Sequence, residues 1–187
     1  MRALQFTNNI LDQYVRNAFG LDESKVTLNN VIDSSGTVPA ANQNKIVLSL
    51  INIERETMKP FYVRNQKMSD GNFADIHPEQ RFNVDLLVTS NFDDYKDTLN
   101  YLNTVIQFFQ ANVRMDAHSF ANIPEGISKL EFDIEKLNYS QMHSLWTAMG
   151  AKYQPSVIYK MRLLTIQANE SGGFVQSVQQ TEQVAHS

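Results

Sequence analysis

The stretch LNYSQMHSLWTAMGAKYQPSVIYKMRLLTIQ, residues Leu137–Gln167, decides the fold more than any other part of the chain. Ser140 is a good N-cap for a short amphipathic helix, which Gly150 ends because glycine adopts the left-handed conformation without strain. A strand follows the turn, and its alternation places Lys160 and Arg162 on one face. Its other face is apolar and consists of Val157, Tyr159, Met161 and Leu163. The stretch therefore predicts a capped helix, a turn and a half-buried strand, and no group in it is suited to catalysis.

Apolar residues at helical spacing predict two longer helices elsewhere in the chain. The first covers residues 3–19 and ends at Gly20. The second takes Asn91 or Asp93 as its N-cap and runs to about Val113. Its predicted buried stripe consists of Tyr95, Leu99, Leu102, Val105, Ile106 and Phe109.

Alternating patterns predict the remaining strands. Lys45–Arg55 carries apolar residues on both faces, which is typical of a central strand covered on two sides. Arg81–Ser90 and Lys129–Lys136 alternate cleanly, and Val26–Val31 is a candidate for a short strand. The predicted inward residues of the strand Lys129–Lys136 are Leu130, Phe132 and Ile134. The element order predicts an α+β fold, in which two main amphipathic helices and one short helix pack on a mixed, largely antiparallel β-sheet.

Length and composition indicate an ordinary globular protein. A chain of 187 residues fits one domain or one domain plus an arm, and 42% hydrophobic and 19% charged residues are typical of a folded chain. We predict a domain over residues 1–168, followed over 169–187 by a polar C-terminal arm or disordered tail with a hinge at Gly172-Gly173. No apolar segment predicts a signal peptide or a membrane span.

Charge and cysteine content exclude several classes of protein. The net charge is −4, and the lysines and arginines are scattered, so no basic stripe predicts binding to nucleic acid. The absence of cysteine excludes disulfides, thiolate nucleophiles and cysteine-based zinc sites, and it suits a cytoplasmic origin.

No motif for catalysis or cofactor binding is present. The four histidines lack zinc-site spacing, and no glycine pattern predicts a phosphate loop or a serine elbow. Asp93 and Asp94 are explained by the start of a helix, where carboxylates are favoured. Trp146 lies on a short amphipathic helix and is predicted to be a core residue. We therefore predict that the chain is not an enzyme and binds neither a cofactor nor a metal ion.

One candidate interface is the outer face of the sheet. Glu131, Asp133 and Glu135 form an acidic stripe on one predicted strand, and Lys160 and Arg162 form a basic pair on another. If the two strands are neighbours, cross-strand pairing explains both sets, at less than about 1 kcal/mol for each exposed pair. The alternative is a docking face for charged segments of a partner.

The second candidate is the unpatterned segment Met58–Gln80, which carries aromatic residues beside cations. Phe61, Tyr62, Arg64 and Phe73 are the candidate anchors, because aromatic side chains and arginine are enriched at interface hot spots. The alternative is that the two phenylalanines pack into the domain as a satellite cluster.

With these elements placed, the sequence resembles the cap, or tail-terminator, family of extracellular contractile injection systems, which are phage-tail-like particles. The family positions in the opening stretch are Leu145-Trp146, Gly150-Ala151-Lys152-Tyr153, Pro155-Ser156, Tyr159-Lys160 and Arg162. Three further blocks, Val47–Glu56, Val84–Tyr95 and Val105–Gln110, are similar to family blocks in the same order. The resemblance covers most of residues 3–168.

The resemblance implies a structural protein without catalytic groups. Such caps form a sixfold ring on the distal end of the sheath and inner tube, stop polymerisation, and hold the sheath to the tube. The implied partners are further copies of the chain, the sheath protein and the inner tube protein. The implied location is the bacterial cytoplasm during assembly, and then a released or anchored particle.

The resemblance leaves three questions open. Sheath subunits of these machines lend terminal arms as strands to the sheets of neighbouring subunits, so the cap should either accept or block the addition of such a strand. A baseplate or spike adaptor of the same machine is an alternative function. A small-ligand-binding α+β domain is another.

Overall fold

Three α-helices, a six-stranded sheet and a three-stranded sheet form the fold in the computed structural model, which describes residues 2–56, 65–67, 73–75, 80–165 and 172–175. The helices are α1 (Arg2–Phe19), α2 (Tyr95–Ala111) and α3 (Tyr139–Met149). The strands are β1 (Val26–Leu28), β2 (Lys45–Arg55), β3 (Asn65–Lys67), β4 (Phe73–Asp75), β5 (Gln80–Asn91), β6 (Arg114–Asp116), β7 (Ile127–Ile134), β8 (Ser156–Thr165) and β9 (Gly172–Val175). A short 3₁₀ turn, Ala40–Asn42, precedes β2.

The large sheet has the strand order β1-β2-β5-β8-β7-β6. The β1–β2 pair is parallel and the other four pairs are antiparallel. The predicted α+β fold with a mixed, largely antiparallel sheet is thereby confirmed. The small sheet has the order β3-β4-β9, so it joins two strands from the unpatterned segment to one from the predicted tail.

The main core lies between the sheet and the two long helices, on what we call the inner face. Leu11 and Val15 of α1 are fully buried there. Phe109 of α2 packs on the rings of Phe132 and Tyr159, with centroid distances of 4.9 and 4.1 Å. Each fully buried side chain of this size contributes roughly 1.5–3 kcal/mol, so this interface supplies most of the stabilisation of the helices.

The short helix α3 covers part of the opposite, outer face. Trp146 is buried there with Leu87 and Ile158, which confirms its prediction as a core residue. Gly150 ends the helix with a φ of 68°, as predicted. The predicted N-cap was wrong, because Asn138 and not Ser140 caps α3. The side chains of Asn138 and Gln141 each accept the other's backbone N–H at 2.9 Å.

The predicted buried stripe of α2 was wrong in part. The N-cap is Asp94, whose carboxylate accepts the Lys96 N–H at 2.8 Å, rather than Asn91 or Asp93. Tyr95 and Leu99 are exposed, and the buried residues are Thr98, Tyr101, Thr104, Val105, Phe108 and Phe109. The stripe is rotated because α1 also packs on α2 and holds Tyr101 and Phe108 inward.

Smaller differences concern the strands. β1 ends at Leu28 and not at Val31. The three-residue strand β6 was not predicted, because so short a segment shows no recognisable alternation of apolar and polar residues. β7 is displaced by two residues, and its Ile134 is exposed rather than buried. β2 has the predicted bounds, but it is buried on both faces only in its first half, because residues 52–55 are exposed.

Candidate protein–protein interfaces

The predicted acidic and basic stripes meet on the outer face, because β7 and β8 are neighbours. Arg162 Nη1 lies 2.7 Å from Asp133 Oδ2, and Lys160 Nζ lies 3.4 Å from Glu135 Oε2. In the register of the strands Glu131 is opposite Arg162 and Asp133 is opposite Lys160, so both ion pairs are diagonal. Cross-strand pairing therefore explains Asp133, Glu135, Lys160 and Arg162, as the sequence predicted for adjacent strands. Glu131 pairs instead with Lys129 of its own strand.

The charged face continues across β5 and β2. Asp85 lies opposite Lys160 in the register, and the Asn52 amide donates to Asp85 Oδ2 at 3.2 Å and to Glu54 Oε1 at 3.0 Å. Lys129 Nζ forms a further ion pair with Glu131 Oε1 at 2.7 Å. We call this surface the charged patch: Glu54, Asp85, Lys129, Glu131, Asp133, Glu135, Lys160 and Arg162.

The charged patch is partly exposed to solvent and carries a net negative charge. Five of the eight residues that define it are acidic and three are basic. The side chains of the Arg162–Asp133 pair are each about half exposed. Such exposed pairs contribute about 0–1 kcal/mol each, so the patch adds little to stability. Its charges remain available to a partner that carries complementary groups.

The second set of predicted interface residues is only partly described. Phe61, Tyr62 and Arg64 lie outside the described residues. Phe73 is the first residue of β4, and its backbone is paired with Val175 of β9. The role of these four residues in an interface stays a prediction.

Four exposed apolar side chains on and near α2 were not predicted as a site. Tyr95 and Leu99, on one flank of α2, are 66% and 45% exposed, and Val113 after the helix and Ile134 at the end of β7 are 51% and 53% exposed. The Val113 carbonyl accepts the Phe132 N–H at 2.8 Å, which places Val113 beside the end of β7. We call these four residues the apolar strip. Sequence reasoning missed it because it assigned Tyr95, Leu99 and Ile134 to the core.

The two edges of the large sheet differ. At the β1 edge, Asp12 Oδ1 accepts the backbone N–H groups of Lys25 and Val26 at 2.9 and 3.0 Å, and Ser24 Oγ lies 3.1 Å from the Val26 carbonyl oxygen. Side chains thus occupy the backbone groups of Val26 at this edge. The β6 edge has no strand beside it in the part of the chain that the structure describes.

A shallow groove of about 340 Å³ lies beside α1. Aromatic side chains of Tyr14, Phe108 and Phe120 line it together with the amides of Gln13 and Asn17. None of its lining residues is charged. The groove therefore suits an uncharged occupant.

The described residues offer few other sites. They contain no group of three or more histidine or carboxylate side chains arranged to hold a metal ion. None of the described helices has the length and apolar character needed to cross a bilayer.

One family model and two solved structures are similar to this chain. The family model of the Pvc16 N-terminal domain matches residues 6–180. No curated protein matches the chain. Two solved structures are similar in fold: the sheath/tube terminator of the extracellular contractile injection system PVC in its extended state, and the tube-terminating cap of the anti-feeding prophage, AFP.

The structural similarity extends over nearly the whole chain. For the PVC terminator the TM-score is 0.57 at 13% identity, covering 96% of this chain and 63% of that one. For the AFP cap the TM-score is 0.55 at 14% identity, covering 94% and 60%. The chain therefore spans less than two thirds of the length of either structure, and at this identity the similarity shows a shared fold.

Proposed function

Because this chain belongs to the Pvc16 N-terminal domain family, we propose that it is the cap, or tail terminator, of a contractile injection system. It forms a sixfold ring at the distal end of the sheath and inner tube, ends polymerisation and holds the sheath to the tube. The family match over residues 6–180 carries the proposal. The fold shared with two solved terminators over 94–96% of the chain supports it.

The proposed role is structural and needs no catalytic group, cofactor or metal ion. Its partners are further copies of the chain, the sheath protein and the inner tube protein, and neither nucleic acid nor membrane is among them. The chain is assembled in the bacterial cytoplasm and becomes part of a released or anchored particle. The proposed terminator domain covers residues 1–168, and residues 169–187 form a polar C-terminal arm or disordered tail.

The unequal sheet edges suit a terminator. An unpaired strand edge can accept an extended segment of another protein as an additional strand. The β6 edge has no strand beside it among the described residues, although its Asp116 carbonyl already accepts the Ser119 and Phe120 N–H groups. At the β1 edge, Asp12 and Ser24 occupy the backbone groups of Val26. The β6 edge at Arg114 is therefore the proposed acceptor of an arm from the last sheath layer.

The charged patch is the proposed contact surface for charged segments of the sheath or tube. Its Glu131, Asp133 and Glu135 would pair with basic groups, and Lys160 and Arg162 with acidic ones. Phe61, Tyr62, Arg64 and Phe73 are proposed as further anchors, because they combine aromatic area with a cation.

Deletion of the gene, followed by electron microscopy of purified particles, tests the proposal. We expect particles of irregular length with open distal ends and detached sheaths, and we expect a plasmid copy of the gene to restore normal length. A matched plasmid that carries the Lys136→Gln variant, altered at an exposed position outside the charged patch, should restore it equally.

Two results would contradict the proposal. Particles of normal length with intact distal ends in the deletion strain would exclude a terminator. Particles that lack a baseplate or spike but keep a closed distal end would favour the adaptor function instead.

A further inference from the structure

Two buried hydroxyl groups on the outer face of the large sheet, Thr89 Oγ1 and Ser156 Oγ, have no hydrogen-bond partner among the described residues. Thr89 is fully buried in β5, and Ser156 is the first residue of β8. Burying a hydroxyl without a hydrogen bond costs free energy, so most buried polar groups in folded proteins pair with another protein group or with ordered water. The two hydroxyls therefore require a partner from outside the chain.

The register of the sheet places both hydroxyls on the same face and close together. Thr89 is opposite Ser156, and the Ser90 N–H donates to the Pro155 carbonyl at 3.1 Å. Because hydrogen-bonded and non-hydrogen-bonded pairs alternate along an antiparallel ladder, Thr89 and Ser156 form a non-hydrogen-bonded pair. The side chains of such a pair stand closest, with Cβ atoms about 4.5–5.5 Å apart. One small molecule can therefore reach both hydroxyls.

The site is enclosed and admits only a small molecule. Leu87 and Ile158 form the next cross-strand pair on the same face, and both are buried with Trp146 of α3. The Tyr153 ring packs edge-on against Trp146, with centroids 5.6 Å apart, so the turn before β8 folds back towards the outer face. Thr89 has no surface exposed to solvent. A ligand larger than water would need an opening that Thr89 lacks.

We propose that one water molecule is bound between β5 and β8 and bridges Thr89 Oγ1 and Ser156 Oγ. Each hydroxyl offers one donor and two acceptor lone pairs, and water both donates and accepts, so one molecule pairs with both groups at once. A buried water of this kind is a fixed part of a structure and is costly to remove. It ties β5 to the start of β8 and thereby holds the end of the turn that follows α3. The site does not depend on the proposed function.

A high-resolution crystal structure of the full chain tests the site directly. We expect a water oxygen within about 3.2 Å of both hydroxyl oxygens, the usual limit for a hydrogen bond between oxygen atoms. Two hydroxyls that bond to each other directly, or the lack of an ordered water between them, would overturn the proposal.

Urea unfolding of single and double variants tests the site in solution. Thr89→Val and Ser156→Ala each remove one hydroxyl and nearly keep the shape of the side chain. Each should lower the equilibrium constant of folding by roughly three- to tenfold, because the bridging hydrogen bonds are lost. The double variant should lower it little further, since the first replacement already removes the bridge. An unchanged or larger constant for Thr89→Val would show that the hydroxyl had no partner, and would overturn the proposal.

Ser90→Ala is the matched control, because Ser90 Oγ is also buried without a partner among the described residues. Ser90 is the next residue of β5, so its side chain lies on the opposite face and cannot reach the same water. Its effect should therefore add to that of Thr89→Val. Equal departures from additivity in the Thr89–Ser90 and Thr89–Ser156 pairs would show a coupling through the backbone, and would overturn the bridge.

Discussion

Asp12 is the residue on which the closure of the β1 edge depends. The Lys25 carbonyl accepts the Ile46 N–H from β2 at 2.8 Å. Neighbouring residues of a strand point their backbone groups to opposite sides, so those of Val26 face away from the sheet. Asp12 Oδ1 accepts the Val26 N–H at 3.0 Å, and the carboxylate is also ion-paired with Arg16. Nothing in the sequence pattern of α1 predicted this role, because an aspartate in the middle of a helix normally faces solvent.

Replacing Asp12 by alanine should destabilise the protein by about 2–4 kcal/mol, because it leaves buried N–H groups without a partner and removes charge-assisted hydrogen bonds. Urea unfolding measures the loss. Asp22→Ala, at an exposed position after α1, is the control and should change the free energy of unfolding by less than about 0.5 kcal/mol. Equal losses in both variants would contradict the role of Asp12.

Asp33 organises the turn after β1. Its carboxylate accepts hydrogen bonds from the Ser35 hydroxyl at 2.6 Å and from the Thr37 N–H at 3.0 Å. These bonds favour the ionised form and lower the pKa of Asp33 from 3.8 to about 2, with the Ser35 hydroxyl as the largest cause. The turn itself was predicted from Gly36, which has a φ of 78°.

The lowered pKa predicts a pH dependence. A depressed carboxyl pKa stabilises the folded state fully above the unfolded value of 3.8, and this contribution is lost as the pH falls towards about 2. An NMR titration should give a pKa of about 2 for Asp33. Ser35→Ala should raise this pKa towards 3.8 by more than Thr37→Val does, because the Ser35 hydroxyl is the largest cause of the lowered pKa and the Thr37 hydroxyl is a smaller one. A wild-type pKa near 3.8 would contradict the hydrogen-bonded turn.

At the scale of elements, the strands were the most predictable part of the fold. Period-2 patterns identified β2 with its observed bounds and β8 with its observed buried face. Helix orientation was less predictable, because α2 carries apolar residues around more than one flank. Only the position of α1 decides that Tyr101 and not Leu99 faces inward. The N-cap of α3 lies two residues before the predicted Ser140, and that of α2 lies one residue after Asp93 and three after Asn91, since side-chain capping depends on local geometry that the sequence does not specify.

Helix α3 should depend strongly on its two ends. Asn138→Ala removes the capping box and should destabilise the protein by about 1 kcal/mol. Gly150→Ala forces a side chain into the left-handed conformation, at a φ of 68°, and should cost about 1–2 kcal/mol. Urea unfolding measures both effects. Ser144→Ala, at an exposed position within the helix, is the control, and losses no larger than that of the control would contradict the importance of the caps.

At the scale of the whole molecule, charged and uncharged surfaces are separated. The charged patch lies on the outer face of the sheet, whereas the apolar strip and the groove lie with the helices that cover the inner face. The charged residues of the patch could be predicted, because the alternation of each strand places Glu131 and Arg162 on its polar face. The sequence did not show that the two strands are neighbours. The exposure of Tyr95 and Leu99 was not predictable, because apolar residues at helical spacing show the same pattern whether they face the core or the solvent.

Contacts through the charged patch should weaken at high salt. In 1 M NaCl the screening length falls to about 3 Å, which weakens contacts through Lys160 and Arg162. Salt washing of purified particles should therefore release the cap into the supernatant, where a denaturing gel measures it. Lys160→Gln combined with Arg162→Gln should release the cap at a lower salt concentration, whereas Lys136→Gln, at an exposed position outside the patch, should not. A wild-type cap that stays on the particles in 1 M NaCl would contradict a contact through the charged patch.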